Sequence, residues 1–212
     1  MNMQATAIGQ QNRQVLLVLA LCPALAVSDT TVNALGLGAA ALLASVVACA
    51  AASCLRRLPG QVQWPIGVLV LTATIGATSL WLDAWLHELQ RALGIFLPLL
   101  VANAAIQLRT QQCAGLAPPA AAMLGIRTGG TMALVLLTLA VARELVGRGS
   151  ILHDAGRLLG DTAGTIDLQL FRADMGFLLA MLPPGAFISL GLLLAARNWF
   201  ETRHLHEQEQ DR

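Results

Sequence analysis

The sequence predicts an all-α integral membrane protein whose six transmembrane helices form two inverted three-helix repeats, with the first and fourth helices broken. Three observations predict it. Of 212 residues, 56% are hydrophobic and only 12% are charged, whereas an ordinary soluble domain is about 25% charged. The charges are clustered and leave apolar windows long enough to cross a hydrocarbon core about 30 Å thick. Two of the shorter windows each carry a proline near the middle, Pro23 and Pro98, at corresponding places in the two halves of the chain. Paired interruptions of this kind mark repeat-built membrane proteins whose broken helices line a site near the midplane.

Residues 1–14 are a short N-terminal segment ahead of the membrane domain. The first span, Val15 to Val27, contains Pro23, which has no N–H to donate and whose ring clashes with the preceding turn. This stretch also imitates a cleaved leader: Arg13, then VLLVLAL, then Ala24-Leu25-Ala26 read as a charged region, an apolar region and a small-residue cleavage site. A lipoprotein reading of Cys22 is poorer, because bulky Leu21 precedes it. Val32 to Leu55 and Pro65 to Leu86 are long enough to cross as regular helices. Gly36, Gly38 and the alanine-rich stretch to Ala52 let neighbours approach closely where lipid gives no hydrophobic drive to associate. The second helix is therefore expected to be tightly buried.

The fourth span, Ala92 to Leu108, is short and carries Pro98. Pro119 to Val146 and Phe177 to Phe200 complete the set, and Pro183-Pro184-Gly185 interrupts the last, leaving carbonyls that protein or water must satisfy. The two repeats then run over residues 15–86 and 92–200 of a membrane domain spanning 15–200, and residues 201–212 form a charged tail. The chain has no lysine, so arginine sets the orientation. One side collects Arg13, Arg56, Arg57, Arg109, Arg197, Arg203 and Arg212; the other has Arg91, Arg148, Arg157 and Arg172 among several aspartates. The positive-inside rule then puts both termini in the cytoplasm.

Chemistry-bearing residues are few. There is no nucleotide-binding loop, flavin attachment motif or hydrolytic triad, so the chain is expected to perform no catalysis alone and to bind no nucleic acid. Cys49 and Cys54 are five apart, a spacing that does not put them on one helix face, and they read as small packing residues. Four unevenly spaced cysteines suggest neither a disulfide framework nor a zinc motif. By residue chemistry Cys22 is either an inert buried thiol or a ligand. His87 and His153 read as interfacial loop residues, His204 and His206 as part of the solvated tail, and Asp83 as interfacial. Arg127 interrupts the fifth span, and Arg143 and Glu144 lie near its end. Ions within a membrane are expensive and usually face a partner or a wet cavity. The alternative for Arg143 and Glu144 is an interfacial pair that snorkels to the headgroups.

Four blocks, LCPALAVSDTTVNALGLG at 21–38, LGIFLPLLVAN at 93–103, ARELVGRG at 142–149 and FLLAMLPPGAFISLGLLLA at 177–195, occur in an order that resembles the E-type subunit of the Rnf (Rsx) ion-translocating electron-transport complex. The D-type subunit family of the sodium-translocating NADH:quinone reductase is a more distant relative. The similarity is collinear over residues 13–200 and begins inside the supposed leader, so the first span is retained as a membrane helix.

The resemblance implies a multi-pass component of a bacterial inner-membrane translocase that couples electron transfer between NADH and ferredoxin to ion movement. It implies pairing with a homologous A-type subunit around a pseudo-twofold axis, among other Rnf-complex subunits. It also implies a 2Fe-2S cluster midway through the membrane, held by cysteines from the broken helices of both subunits. Pro23, Pro98 and Asn103 would be helix-break residues, Arg143 and Glu144 ion-path residues. Cys22 matches the first family cysteine. The second is replaced: Asn103 is followed by Ala104, and the family's glycine and acidic residue correspond to Leu108 and Gln111. Cys113 lies nine residues beyond Ala104, about 13 Å along a helix rising ~1.5 Å per residue, and is no simple substitute. Either three thiolates and a foreign ligand hold the cluster, or it is lost. The expected function is a membrane electron-transfer subunit; the alternatives are a secondary transporter and a structural subunit without the cluster.

Overall fold

The computed structural model describes residues 29–55, 59–148, 150–151, 168–169, 182, 184–195 and 199. The first span, with Cys22 and Pro23, lies outside them, as do His153, His204 and His206. The described chain is helical apart from one two-residue antiparallel pair, β1 (Ser150–Ile151) with β2 (Leu168–Gln169), in which Ser150 faces Gln169. Helix α1 covers Thr31–Cys54 and α2 covers Gly60–Trp85. They are followed by α3 (His87–Leu93), α4 (Phe96–Leu99) with a 3-10 turn (Leu100–Ala102), α5 (Ala104–Cys113), α6 (Pro118–Arg148) and α7 (Pro184–Ala195). Three segments are long and apolar enough to cross a membrane: Thr31–Cys54, Gln61–Trp85 and Pro118–Arg148.

Helix α1 is the centre of the packing, as its small residues predict. Val32, Ala34, Leu37, Ala40, Ala41, Ala44 and Ala48 are all buried. Its closest neighbour is α6, and glycines set the distance between them. A Cβ placed on Gly129 would lie 2.5 Å from Leu42 Cα, and one on Gly125 would lie 2.8 Å from the Ser45 carbonyl oxygen. Backbone therefore packs on backbone, a contact that dispersion alone can hold in lipid. Gly36 instead takes a side chain of α3, with Leu89 Cδ2 2.9 Å from where its Cβ would lie. Helix α7 packs on α6 through Ala186, Leu190 and Leu139. Helix α2 lies outermost, with Leu69, Leu80, Trp81 and Trp85 exposed.

The fourth span is interrupted, but not at Pro98. Helix α3 ends at Gly94, whose φ of 45° is a left-handed value that a Cβ disfavours. Pro98 is the third residue of α4, a first-turn position where a missing N–H leaves no intrahelical bond unmade. The break falls at Asn103, where the chain turns extended with ψ 110° before α5 begins. Helix α2 likewise starts at Gly60 rather than Pro65, which sits inside it.

The cysteines also depart from expectation. Cys49 of α1 is not a mere packing residue: it is joined to Cys113 of α5 in a disulfide with a Cα–Cα distance of 5.2 Å, across a sequence separation of 64. Spacing arguments along one helix do not see a partner on another. Cys54 is a free, exposed thiol.

Candidate functional site

The start of α1 gathers the buried polar groups. A helix begins with backbone N–H groups that have no intrahelical acceptor, and in α1 these are met from two directions. Thr30 is the N-cap, its hydroxyl accepting from the Asn33 N–H at 3.3 Å. Asp29 Oδ1 accepts from the Thr30 N–H at 2.9 Å and from the Asn33 side-chain amide at 3.0 Å. The Thr31 N–H donates across the fold to Glu144 Oε2 at 2.7 Å, and the Thr31 hydroxyl donates to the same oxygen. Two acidic side chains thus sit at the positive end of the α1 dipole, where they are favoured.

Arg143 and Glu144 are 1% and 0% exposed, so neither snorkels from this chain to the headgroups. The last turns of α6 turn both inward, Glu144 to α1 and the Arg143 guanidinium toward the Leu182 carbonyl oxygen ahead of α7, at 3.4 Å. Asp29 lies within electrostatic reach of Arg143. Asn33 Oδ1 is buried and meets no donor among the described residues. The junction ties the ends of α1, α6 and α7 together. The sequence marks Arg143 and Glu144 as intramembrane charges, but assigns Asp29, Thr31 and Asn33 no individual role. Their one signal was the polar patch, SDTTVN, inside an apolar stretch.

Asn103 is buried and serves as the cap of α5. Its Oδ1 accepts from the Ile106 N–H at 3.4 Å, and its side-chain amide points to Met132 Sδ at 4.0 Å. Ala104 opens α5 and carries no atom that binds iron. Cys113 is bonded to Cys49, and Cys54 is exposed at the far end of α1. Among the described residues no group of three or more histidines, cysteines or acids is placed to hold a metal. The described part of this chain therefore does not by itself supply a thiolate-ligated cluster, which usually takes four cysteines; its one free thiol is Cys54, at the far end of α1.

The remaining charged and histidine residues singled out by the sequence are scattered. Arg127 is exposed on α6, away from the junction. His87 opens α3, its Nδ1 lying 2.6 Å from Asp83 Oδ1 at an exposed helix end. A cleft of about 400 Å³ lies between α1, α2 and α5, lined by Ala52, Gln63, Trp64, Gly67, Thr110 and Gln111.

A helical core with three segments long and apolar enough to cross a membrane, and a basic and an acidic side chain buried at a helix end, define a multi-pass membrane protein. The chain belongs to the Rnf-Nqr family of membrane-protein subunits, whose model matches residues 1–194. It is 41% identical over 201 residues to the E subunit of the ion-translocating oxidoreductase complex of Thioalkalivibrio sulfidiphilus, covering 94% of this chain and 88% of the relative. The corresponding E subunit of Edwardsiella ictaluri is 38% identical over 211 residues, 99% of this chain and 89% of its own length. That of Pseudoalteromonas atlantica is 41% identical over 196 residues, 92% and 84% respectively. The resemblance carried by the four sequence blocks thus extends over the length of the chain.

Proposed function

We propose that this chain is an integral component of an Rnf-type complex of the bacterial inner membrane, in which electron transfer between NADH and ferredoxin is coupled to ion translocation. The observation that carries this reading is the end-to-end similarity to E-type subunits named for an ion-translocating oxidoreductase complex. In this reading the chain has six transmembrane helices in two inverted repeats, both termini are cytoplasmic, and a homologous A-type subunit packs against it. Its buried polar junction at Thr31, Asn33, Arg143 and Glu144 is then part of the ion path, since buried ionisable groups in a membrane mark such routes. Deleting the chain should abolish NADH-driven, ferredoxin-linked ion uptake into membrane vesicles. Uptake that persists unchanged would end the proposal.

Cys22 is the residue through which this chain would help hold a 2Fe-2S cluster shared with its A-type partner. When bound, such a cluster supplies a one-electron relay. Cys22→Ser should abolish or shift the cluster's electron paramagnetic resonance signal in the complex, because a thiolate-held cluster depends on its sulfur donors. Cys54→Ser should leave the signal alone. Ala104→Cys should strengthen iron retention if three thiolates already hold it. A second reading, a structural subunit that has lost the cluster, is favoured by Ala104 and by the engagement of Cys113 with Cys49. It predicts that Cys22→Ser is silent and that the complex contains no iron beyond that of its other subunits.

A further inference from the structure

Cys49 and Cys113 stand apart from the proposed cluster residue, and their surroundings suit two oxidation states. The Cα–Cα distance of 5.2 Å lies within the range disulfides span without backbone movement, about 4.4–6.8 Å. Each sulfur also has its own backbone acceptor for the reduced form. Cys49 Sγ is 3.9 Å from the Arg109 carbonyl oxygen, and Cys113 Sγ is 3.9 Å from that of Ala121. A thiol at either position therefore has a carbonyl to which its S–H can donate. Both residues are almost fully buried, at 1% and 0% exposure, which closes the pair to a protein oxidant. A small solute in the nearby cleft would meet residues that neighbour the pair. Ala52 packs in the same cluster as the two cysteines and also lines the cleft between α1, α2 and α5, whose wall includes Thr110, Gln111 and Ala114 around Cys113.

The pair lies at the end of α1 that is followed by Arg56 and Arg57, with Arg109 four residues before Cys113. In the orientation proposed above this is the cytoplasmic side, where thiol pools keep disulfides reduced and those that form are commonly regulatory. We propose that Cys49 and Cys113 are a peroxide-sensitive dithiol that closes reversibly into a disulfide clasp between α1 and α5. One thiolate attacks hydrogen peroxide; the O–O bond breaks, an S–O bond forms, and a water leaves once its oxygen is protonated. The second sulfur then attacks the sulfenic sulfur, forming the S–S bond and releasing a second water. Two thiols are oxidised and one peroxide is reduced. A dithiol reductant reverses the change by disulfide exchange, becoming a disulfide itself and returning both protons.

The clasp fastens the far end of the helix that begins at Ala104, so it would fix α5 against α1 in the oxidised state. The assignment is independent of any cluster at Cys22. The test uses membranes containing the assembled complex, quenched with an alkylating agent at rest, after hydrogen peroxide, and after peroxide followed by dithiothreitol. Peptides are then mapped without reduction. The expected result is alkylated Cys49 and Cys113 at rest, a linked Cys49–Cys113 peptide lighter by two hydrogens after peroxide, and return to the alkylated form after the reductant. Cys54→Ser should leave the linkage unchanged, and Cys49→Ser should remove it. Cysteines that stay alkylated after peroxide, a bond to Cys54 instead, or a linkage already complete at rest would each overturn the proposal. The wild-type map decides the matter even if a variant fails to accumulate.

Discussion

Glu144 shows how much a single side chain in this membrane core depends on its acceptor role. It satisfies a backbone N–H and a hydroxyl of Thr31 from 113 residues away. Replacing it with alanine leaves that buried N–H unpaired, at a cost of about 1–3 kcal/mol. Thr31→Val removes only the hydroxyl bond and should cost about 1 kcal/mol. The midpoint of thermal inactivation of the detergent-solubilised complex should therefore fall further for Glu144→Ala than for Thr31→Val. The reverse order would contradict the junction described above. The sequence made Arg143 and Glu144 conspicuous, because charges in an apolar stretch need a reason. It did not show where they point, since their partners, the Leu182 carbonyl and Thr31, lie 39 and 113 residues away along the chain. Thr31 was hidden for a related reason: a threonine at a helix start reads as a local cap, and nothing local distinguishes one that donates across the fold.

At the scale of helices, the contact between α1 and α6 rests on the absence of side chains. Gly129→Val would drive its Cβ into Leu42 Cα, with 2.5 Å available. Neither backbone can yield without parting the two helices. Gly130 has nothing within 4 Å of an added Cβ, so Gly130→Val is the matched control one residue on. Gly129→Val should lower the membrane abundance of the chain severalfold, while Gly130→Val should leave it close to wild type. Immunoblots of membranes at equal expression measure both. The burial of α1 was legible from its glycines and alanines because small residues have few other uses in a membrane helix. The position of the break in the fourth span was not legible from composition or spacing; only the resemblance marked Asn103 beside Pro98. Pro98 drew the eye, yet a proline restrains only the turn before it, and at the third position of a helix that turn does not exist. The interruption depends instead on Gly94, whose effect is visible only once the elements on both sides are placed, and on Asn103, which the family resemblance had marked as a helix-break residue.

For the molecule as a whole, α2 leaves Leu69, Leu80, Trp81 and Trp85 exposed, and Arg127 of α6 is exposed within a segment apolar enough to cross the membrane. Apolar residues on that surface are at home in lipid. An arginine is not, and it favours a polar neighbour. Loss of the proposed A-type partner should therefore reduce the steady-state level of this chain. A purified monomer that keeps its helices and resists proteolysis would argue against a shared core. Orientation belongs to the same scale. Reporter fusions at both ends should give cytoplasmic signals, and mass spectrometry of the mature chain should find residues ahead of Val27 retained; a chain starting at Val27 would remove Cys22 altogether.

The link from Thr31 to Glu144 also has a meaning in time. Translation proceeds at about 5–20 residues per second, so Glu144 leaves the ribosome roughly 6–23 s after Thr31, whose partner it is, given their separation of 113 residues. Throughout that interval the first turn of α1 has been made but its acceptor has not. The glycine-facing surface of α1 is equally bare until α6 is inserted. Nascent chains truncated ahead of Glu144 should accordingly be held by the insertion machinery or degraded, whereas those extending past it should be released into the bilayer. The contact between α1 and α6 at Thr31 thus cannot close before residue 144 has been made.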